Sequence, residues 1–119
     1  MPAAPQNFYK KLLGRNGENK VVRFLKRKGY SILKRNYTCL QGEADIIAKK
    51  NETLIFIEVK TRFNDDFGRP AEAVGYSKQQ KYRRIAEYFM LSENMTDTAV
   101  RFDVAEVLGK EINYIENAF

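Results

Sequence analysis

Glu43, Asp45, Glu58 and Lys60 stand among isoleucine, leucine and phenylalanine in GEADIIAKKNETLIFIEVKTR, the stretch from Gly42 to Arg62. Acids on two adjacent apolar runs can serve a hard divalent cation, because Mg²⁺ accepts a few carboxylate oxygens and keeps much of its water shell. A lysine beside them can steady negative charge developing on a phosphate. The two runs read as strands of a hairpin, and a tight turn at Asn51 and Glu52 sets Asp45 opposite Glu58 and Glu43 opposite Lys60. Like charges directly opposite destabilise a sheet, and burial makes an unpaired charge costlier still. A cation between Asp45 and Glu58 would remove both penalties. An ordinary cross-strand ion pair between Glu43 and Lys60 is the competing reading.

Side-chain alternation puts Ile55, Ile57 and Val59 on one face and Phe56, Glu58 and Lys60 on the other. Likewise Glu43, Asp45 and Ile47 alternate against Ala44, Ile46 and Ala48. A strand apolar on both faces belongs in the centre of a sheet covered on both sides. Two helical segments add polar groups to this core. Glu18 precedes Val21, Val22 and Leu25 at helical spacing, which places it at the end of an apolar stripe, where an acid either faces the sheet or serves as a cap. Gln79 shares a stripe with Tyr82, Ala86 and Phe89, and Lys78 stands beside it.

Composition limits the chemistry further. The chain has no histidine and one cysteine, Cys39, which excludes zinc ribbons and fingers and Cys/His or Ser/His nucleophile systems. Catalysis would have to run on carboxylates, lysine, hydroxyls and a hard metal ion. At 119 residues the expectation is one domain over 1–119, with residues 1–6 as a flexible tail. No apolar run approaches the ~18 to 20 residues of a membrane span. The N-terminus lacks a secretory h-region and a lone cysteine forms no internal disulfide, so a cytoplasmic address is expected. The charge of +6, from 21 Lys+Arg against 15 Asp+Glu, favours an anionic partner. The bases concentrate in KRKGYSILKRN (Lys26 to Asn36) and SKQQKYRR (Ser77 to Arg84), which read either as solvated faces or as a grip on nucleic acid.

The positioning elements follow in order. A helix is predicted from about Asn7 to Lys28, loosened at Gly14 and Gly17 and stopped by Gly29. Strands follow at YSILKRNYT, EADIIAK and TLIFIEVKTR, then a loop at NDDFGRP. A second helix, capped by Ser77 with Gln80 in the capping-box position, runs to about Leu91. AVRFDVAEVL and EINYIE close the chain as a hairpin through Gly109 and Lys110. The class is α/β or α+β, a mixed sheet covered by helices. Asp103 is read as structural, Cys39 as a packing residue and the aromatics as core.

LGRNGENKVVRFLKRKGYSILKRNY, GEADIIA, LIFIEVKTR, FGRPAEAV and RFDVAEV, in that order from Leu13 to Val107, resemble the small bacterial YraN family. That family lies in the PD-(D/E)XK nuclease-like superfamily, near the archaeal Holliday junction resolvases. The resemblance implies a restriction-endonuclease-like core with site acids Glu18, Asp45 and Glu58, Lys60 in the Glu-x-Lys motif, and the helix-start pair Lys78 and Gln79. Ala44 stands where the family has a larger apolar residue, and Thr38 where a base is common after Asn-Tyr.

The expected activity is a metal-dependent endonuclease that hydrolyses phosphodiester bonds, structure-specific for branched DNA. Asp45, Glu58 and the Val59 carbonyl would hold Mg²⁺ or Mn²⁺, with Glu18 serving a second ion or its water. Lys60 would stabilise the developing charge. Lys26, Arg27, Lys34, Arg35, Lys78, Gln79, Lys81 and Arg84 would grip the nucleic-acid backbone. A homodimer would suit a junction with two symmetric strands to cut. The alternatives are a nucleic-acid-binding module that keeps the fold without cleavage, and a scaffold protein whose acids only pair with lysine and arginine.

Overall fold

The computed structural model describes residues 6–62 and 74–119, with side chains described from residue 15 onward. Among the described residues seven elements follow one another: α1 (Gln6–Arg27), β1 (Ser31–Cys39), β2 (Gly42–Lys50), β3 (Thr53–Arg62), α2 (Tyr76–Ser92), β4 (Ala99–Leu108) and β5 (Glu111–Ile115). The five strands form one sheet in the order β1-β2-β3-β4-β5. β3 and β4 are parallel and the other neighbours antiparallel. A parallel pair needs a long crossover, and α2 supplies it. The result is the mixed α/β sheet that the pattern of elements predicts. No helix among the described residues is long and apolar enough to cross a membrane.

The helices cover opposite faces. Val21, Val22 and Leu25 of α1 pack with Ile46, Ala48, Ile55, Ile57, Ala105 and Val107. Tyr82, Ile85, Ala86 and Phe89 of α2 pack with Ala44, Ile47, Leu54 and Phe56. β3 is therefore buried on both sides, as its unbroken apolar run predicts, and Glu58 lies on the α2 side of it by alternation. The β2–β3 turn is tight, with Asn51 at φ 49° and Glu52 at φ 67°, the left-handed pair that a two-residue hairpin needs.

Several local expectations are corrected. α1 is not loosened at its glycines but continuous from Gln6 to Arg27. Gly17 serves close approach instead: a Cβ there would lie 2.5 Å from the Thr61 hydroxyl of β3. Gln6, assigned to the tail, opens α1, while residues 1–5 lie outside the described residues. Ser77 does not cap α2; Gly75 is the N-cap, with no side-chain cap bond. Buried Val74 fixes the entry of the chain, and the Gln79 side chain donates back to its carbonyl at 3.0 Å. The NDDFGRP loop and most of FGRPAEAV lie outside the described residues.

The register also departs from the expected pairing. The β2–β3 ladder runs from Lys50 opposite Thr53 to Ile46 opposite Ile57 and stops there. Asp45 therefore does not face Glu58 in a ladder pair, and Glu43 faces Thr38 of β1 rather than Lys60. Ala44 joins Ile47 on the α2 side while Ile46 lies on the α1 side, so the alternation expected through Asp45 slips there. Across on β1, Asn36 adopts a left-handed φ of 51° between the pairs Arg35–Ile46 and Tyr37–Ala44. The sheet is irregular on both strands at the position of the acid.

Candidate metal and nucleic-acid site

Where the β2–β3 ladder stops, a side chain takes over from the backbone. The Val59 N–H donates to Oδ2 of Asp45 at 2.8 Å, so the carboxylate occupies the gap where the strands part. Asp45 is half-buried and its carboxyl is pushed up to about 7. Burial is the main cause, and the charges of Glu58 and Glu18 add to it, while the Val59 N–H and Lys78 act in the opposite sense. The three acids from α1, β2 and β3 thus lie near enough to feel one another.

Each neighbouring acid is held by a base. Glu58 is buried, and Lys78 of α2 donates to its Oε1 at 2.6 Å. Glu18 is buried as well, with Oε1 accepting from Arg35 Nε and from Asn36 Nδ2, both at 3.0 Å. Arg35 also donates to Asn19, which ties β1 to α1. Lys60 is half-buried and makes no hydrogen bond or ion pair among the described residues. Above the acids lies Tyr82, whose buried hydroxyl has no hydrogen-bond partner among the described residues. The Glu58 carboxylate and Asp45 come close to it without reaching bonding geometry, and burial followed by these charges pushes the phenol up.

The sheet and its two helices therefore bring together Glu18, Asp45, Glu58, Lys78 and Tyr82. Gln79 turns away to the Val74 carbonyl, and Glu43 is exposed, with Thr38 at 3.5 Å. Lys26, Arg27, Lys34, Arg35, Lys81 and Arg84 are exposed, and the Lys81 stem lies over Gly42 at the start of β2. Tyr82 and Asn36 were absent from the sequence-derived site. Tyr82 could have been found as the next inward residue after Gln79 on its stripe. Asn36 could not, because its role depends on a left-handed backbone seen only in the folded sheet.

Among the described residues no group of three or more acids or cysteines forms a metal shell by itself. Two carboxylates and a backbone carbonyl are nonetheless enough for Mg²⁺, which fills the rest of its octahedron with water. The fit is supported by the Lys78 ammonium, a positive group seated on Glu58 where a cation would bind.

The model of the family described as uncharacterised protein family UPF0102 matches residues 17–107, a span that opens just before Glu18 and closes on β4. A UPF0102 protein of Caldicellulosiruptor saccharolyticus is 47% identical, covering 92% of this chain and 98% of its own. One of Alkaliphilus oremlandii is 48% identical with the same coverage, and one of Clostridium acetobutylicum is 43% identical over 92% of this chain and 94% of its own. The matched span carries α1 from Gly17, the sheet through β4 and the whole acid cluster, and the chain belongs to the UPF0102 family.

Proposed function

We propose that this chain is a metal-dependent endonuclease of the PD-(D/E)XK kind, akin to the YraN proteins and the archaeal Holliday junction resolvases, acting in the cytoplasm on branched DNA. The observation that carries the reading is the meeting of Asp45 and Glu58 at the point where β2 and β3 part, with Lys60 one strand period beyond Glu58. A divalent ion, Mg²⁺ or Mn²⁺, held by Asp45, Glu58 and the Val59 carbonyl would polarise the scissile phosphate and make an attacking water more acidic. Lys60, with no partner among the described residues, is available to the charge that develops on the phosphate. Glu18 and its partners Arg35 and Asn36 hold α1 and β1 around the acids. Lys26, Arg27, Lys34, Lys81 and Arg84 would grip phosphates irrespective of sequence. Two copies would be needed to cut both symmetric strands of a junction.

The pairs Lys78–Glu58 and Arg35–Glu18 favour a second reading, a nucleic-acid-binding module or scaffold in which the acids are only neutralised. One experiment separates the two. Labelled junction, flap, single-stranded and linear DNA and RNA are incubated with purified protein and Mg²⁺, Mn²⁺ or chelator. Metal-dependent cleavage, strongest on the junction, is expected. Retention of DNA without cleavage under any condition would give the binding module, and neither retention nor cleavage would give the scaffold.

A further inference from the structure

Lys78 stands in the first turn of α2, which contains no acidic residue. That is an unfavourable place for a cation, because the partial positive charge of a helix lies at its N-terminus. Its partner must compensate. The ammonium reaches Oε1 of Glu58 at 2.6 Å, yet half of the Lys78 side chain is exposed while only 8% of that of Glu58 is. The acid is fixed in the sheet, and the base arrives on a long, half-exposed stem. Glu58 bonds to no other side chain among the described residues. A buried carboxylate stripped of its counter-charge is strongly destabilising, so without metal the fold depends on Lys78 being there.

We propose that Lys78 is a built-in placeholder cation: it neutralises Glu58 while the metal site is empty, yields the carboxylate when a divalent ion binds, and then engages a phosphate of the nucleic acid. This rests on the metal-site reading of Asp45 and Glu58. An ammonium and a divalent ion on one carboxylate repel each other over a few ångströms in a partly desolvated site, so each lowers the affinity for the other. A lysine stem is long and flexible enough to swing out, and an ammonium is a point-charge ligand for phosphate. Metal binding and DNA grip would then be linked through one side chain. Apparent metal affinity would rise when DNA is present to accept the ammonium.

The test begins with calorimetric Mn²⁺ titration of wild type, Lys78→Met and Lys78→Arg. Lys78→Met is expected to bind Mn²⁺ roughly tenfold more tightly or better, and Lys78→Arg no more tightly than wild type. Because Lys78→Met leaves Glu58 unpaired and could fail to fold, a second measurement uses wild type alone. The rate of acylation of the Lys78 amine, read by mass spectrometry, is expected to rise on saturation with Mn²⁺. Equal affinity in wild type and Lys78→Met, or an acylation rate unmoved by saturating Mn²⁺, overturns the placeholder role and leaves the metal site standing. No Mn²⁺ binding by any of the three proteins overturns the metal site and the placeholder together.

Discussion

Two aspartates in one sheet are treated in opposite ways. Asp103 of β4 is fully buried and accepts from Arg101, from the Tyr114 hydroxyl and from the Asn117 N–H, the last at 2.9 Å. Arg101 is itself held by the Tyr30 hydroxyl and by Glu116, and its bonds to Asp103 keep it protonated beyond the usual range. Asp45 of β2 has the Val59 N–H as its hydrogen-bond donor among the described residues, with Glu58 and Glu18 as like-charged neighbours. The first arrangement fastens β5 and the chain end to β4. The second is costly, since it keeps acids close together with too few donors. Asp103 has its charge matched by donors on every side, whereas Asp45 has one donor among the described residues and two acidic neighbours.

Breaking the saturated site should cost the most stability. Asp103→Ala leaves the Arg101 guanidinium without its main partner, and a loss of about 3 to 5 kcal/mol is expected in urea unfolding. If that substitution costs no more than a surface change, the contrast between the two aspartates is false. Lys60→Ala is next and acts on function. It should fold and take up metal normally while single-turnover cleavage falls by ~10²-fold or more, and Lys60→Arg should rescue it only in part. Cleavage by the alanine variant at the wild-type rate removes Lys60 from the mechanism.

Asp45→Asn sharpens the contrast through pH. With its folded carboxyl raised to about 7, Asp45 is protonated in the folded protein where it would ionise in the unfolded chain. The folded state binds the extra proton, so this contribution is complete below the ordinary carboxylate value of about 4 and is lost as pH rises through about 7. In chelator, the wild-type melting temperature should therefore fall relative to Asp45→Asn across that window. Mg²⁺ should raise it again at neutral pH in wild type only. Parallel pH profiles for the two proteins would show that Asp45 is not strained. The smallest effect belongs to the surface. Lys34→Glu should lower the log-log salt slope of duplex DNA binding by about 0.9, with the same loss on unrelated sequences. A loss confined to one sequence would mean base contact instead.

Local patterns in the sequence carried much of this. The two-sided burial of β3, the turn at Asn51 and Glu52 and the hairpin at Gly109 and Lys110 follow from period-two alternation and turn chemistry, both short-range properties. Glu18 could be placed inward by counting along one helix. The gap that receives Asp45 could not be read, because a ladder ends where long-range packing bends it, and strict alternation predicts a pair that the slip between Ala44 and Ile46 abolishes. The capping-box spacing of Ser77 and Gln80 is a local pattern that does not fix where the helix begins, and α2 starts one residue earlier, at Tyr76. The partners of Glu18 are not legible by the same count, because Arg35 and Asn36 sit on another element.

The parallel pairing of β3 with β4 has a consequence for how the molecule assembles. β1, β2 and β3 are joined by short turns and can form early, whereas Thr53 meets Ala99 only after the intervening chain, α2 included, has closed over the sheet. Until then β3, with its apolar run from Leu54 to Ile57, is an open edge carrying Leu54, Phe56 and Glu58, ready to pair with another chain. Refolding at high protein concentration should lose yield to aggregation at this step. Pulse-labelled hydrogen exchange should show the β2–β3 amides protected before those of β4.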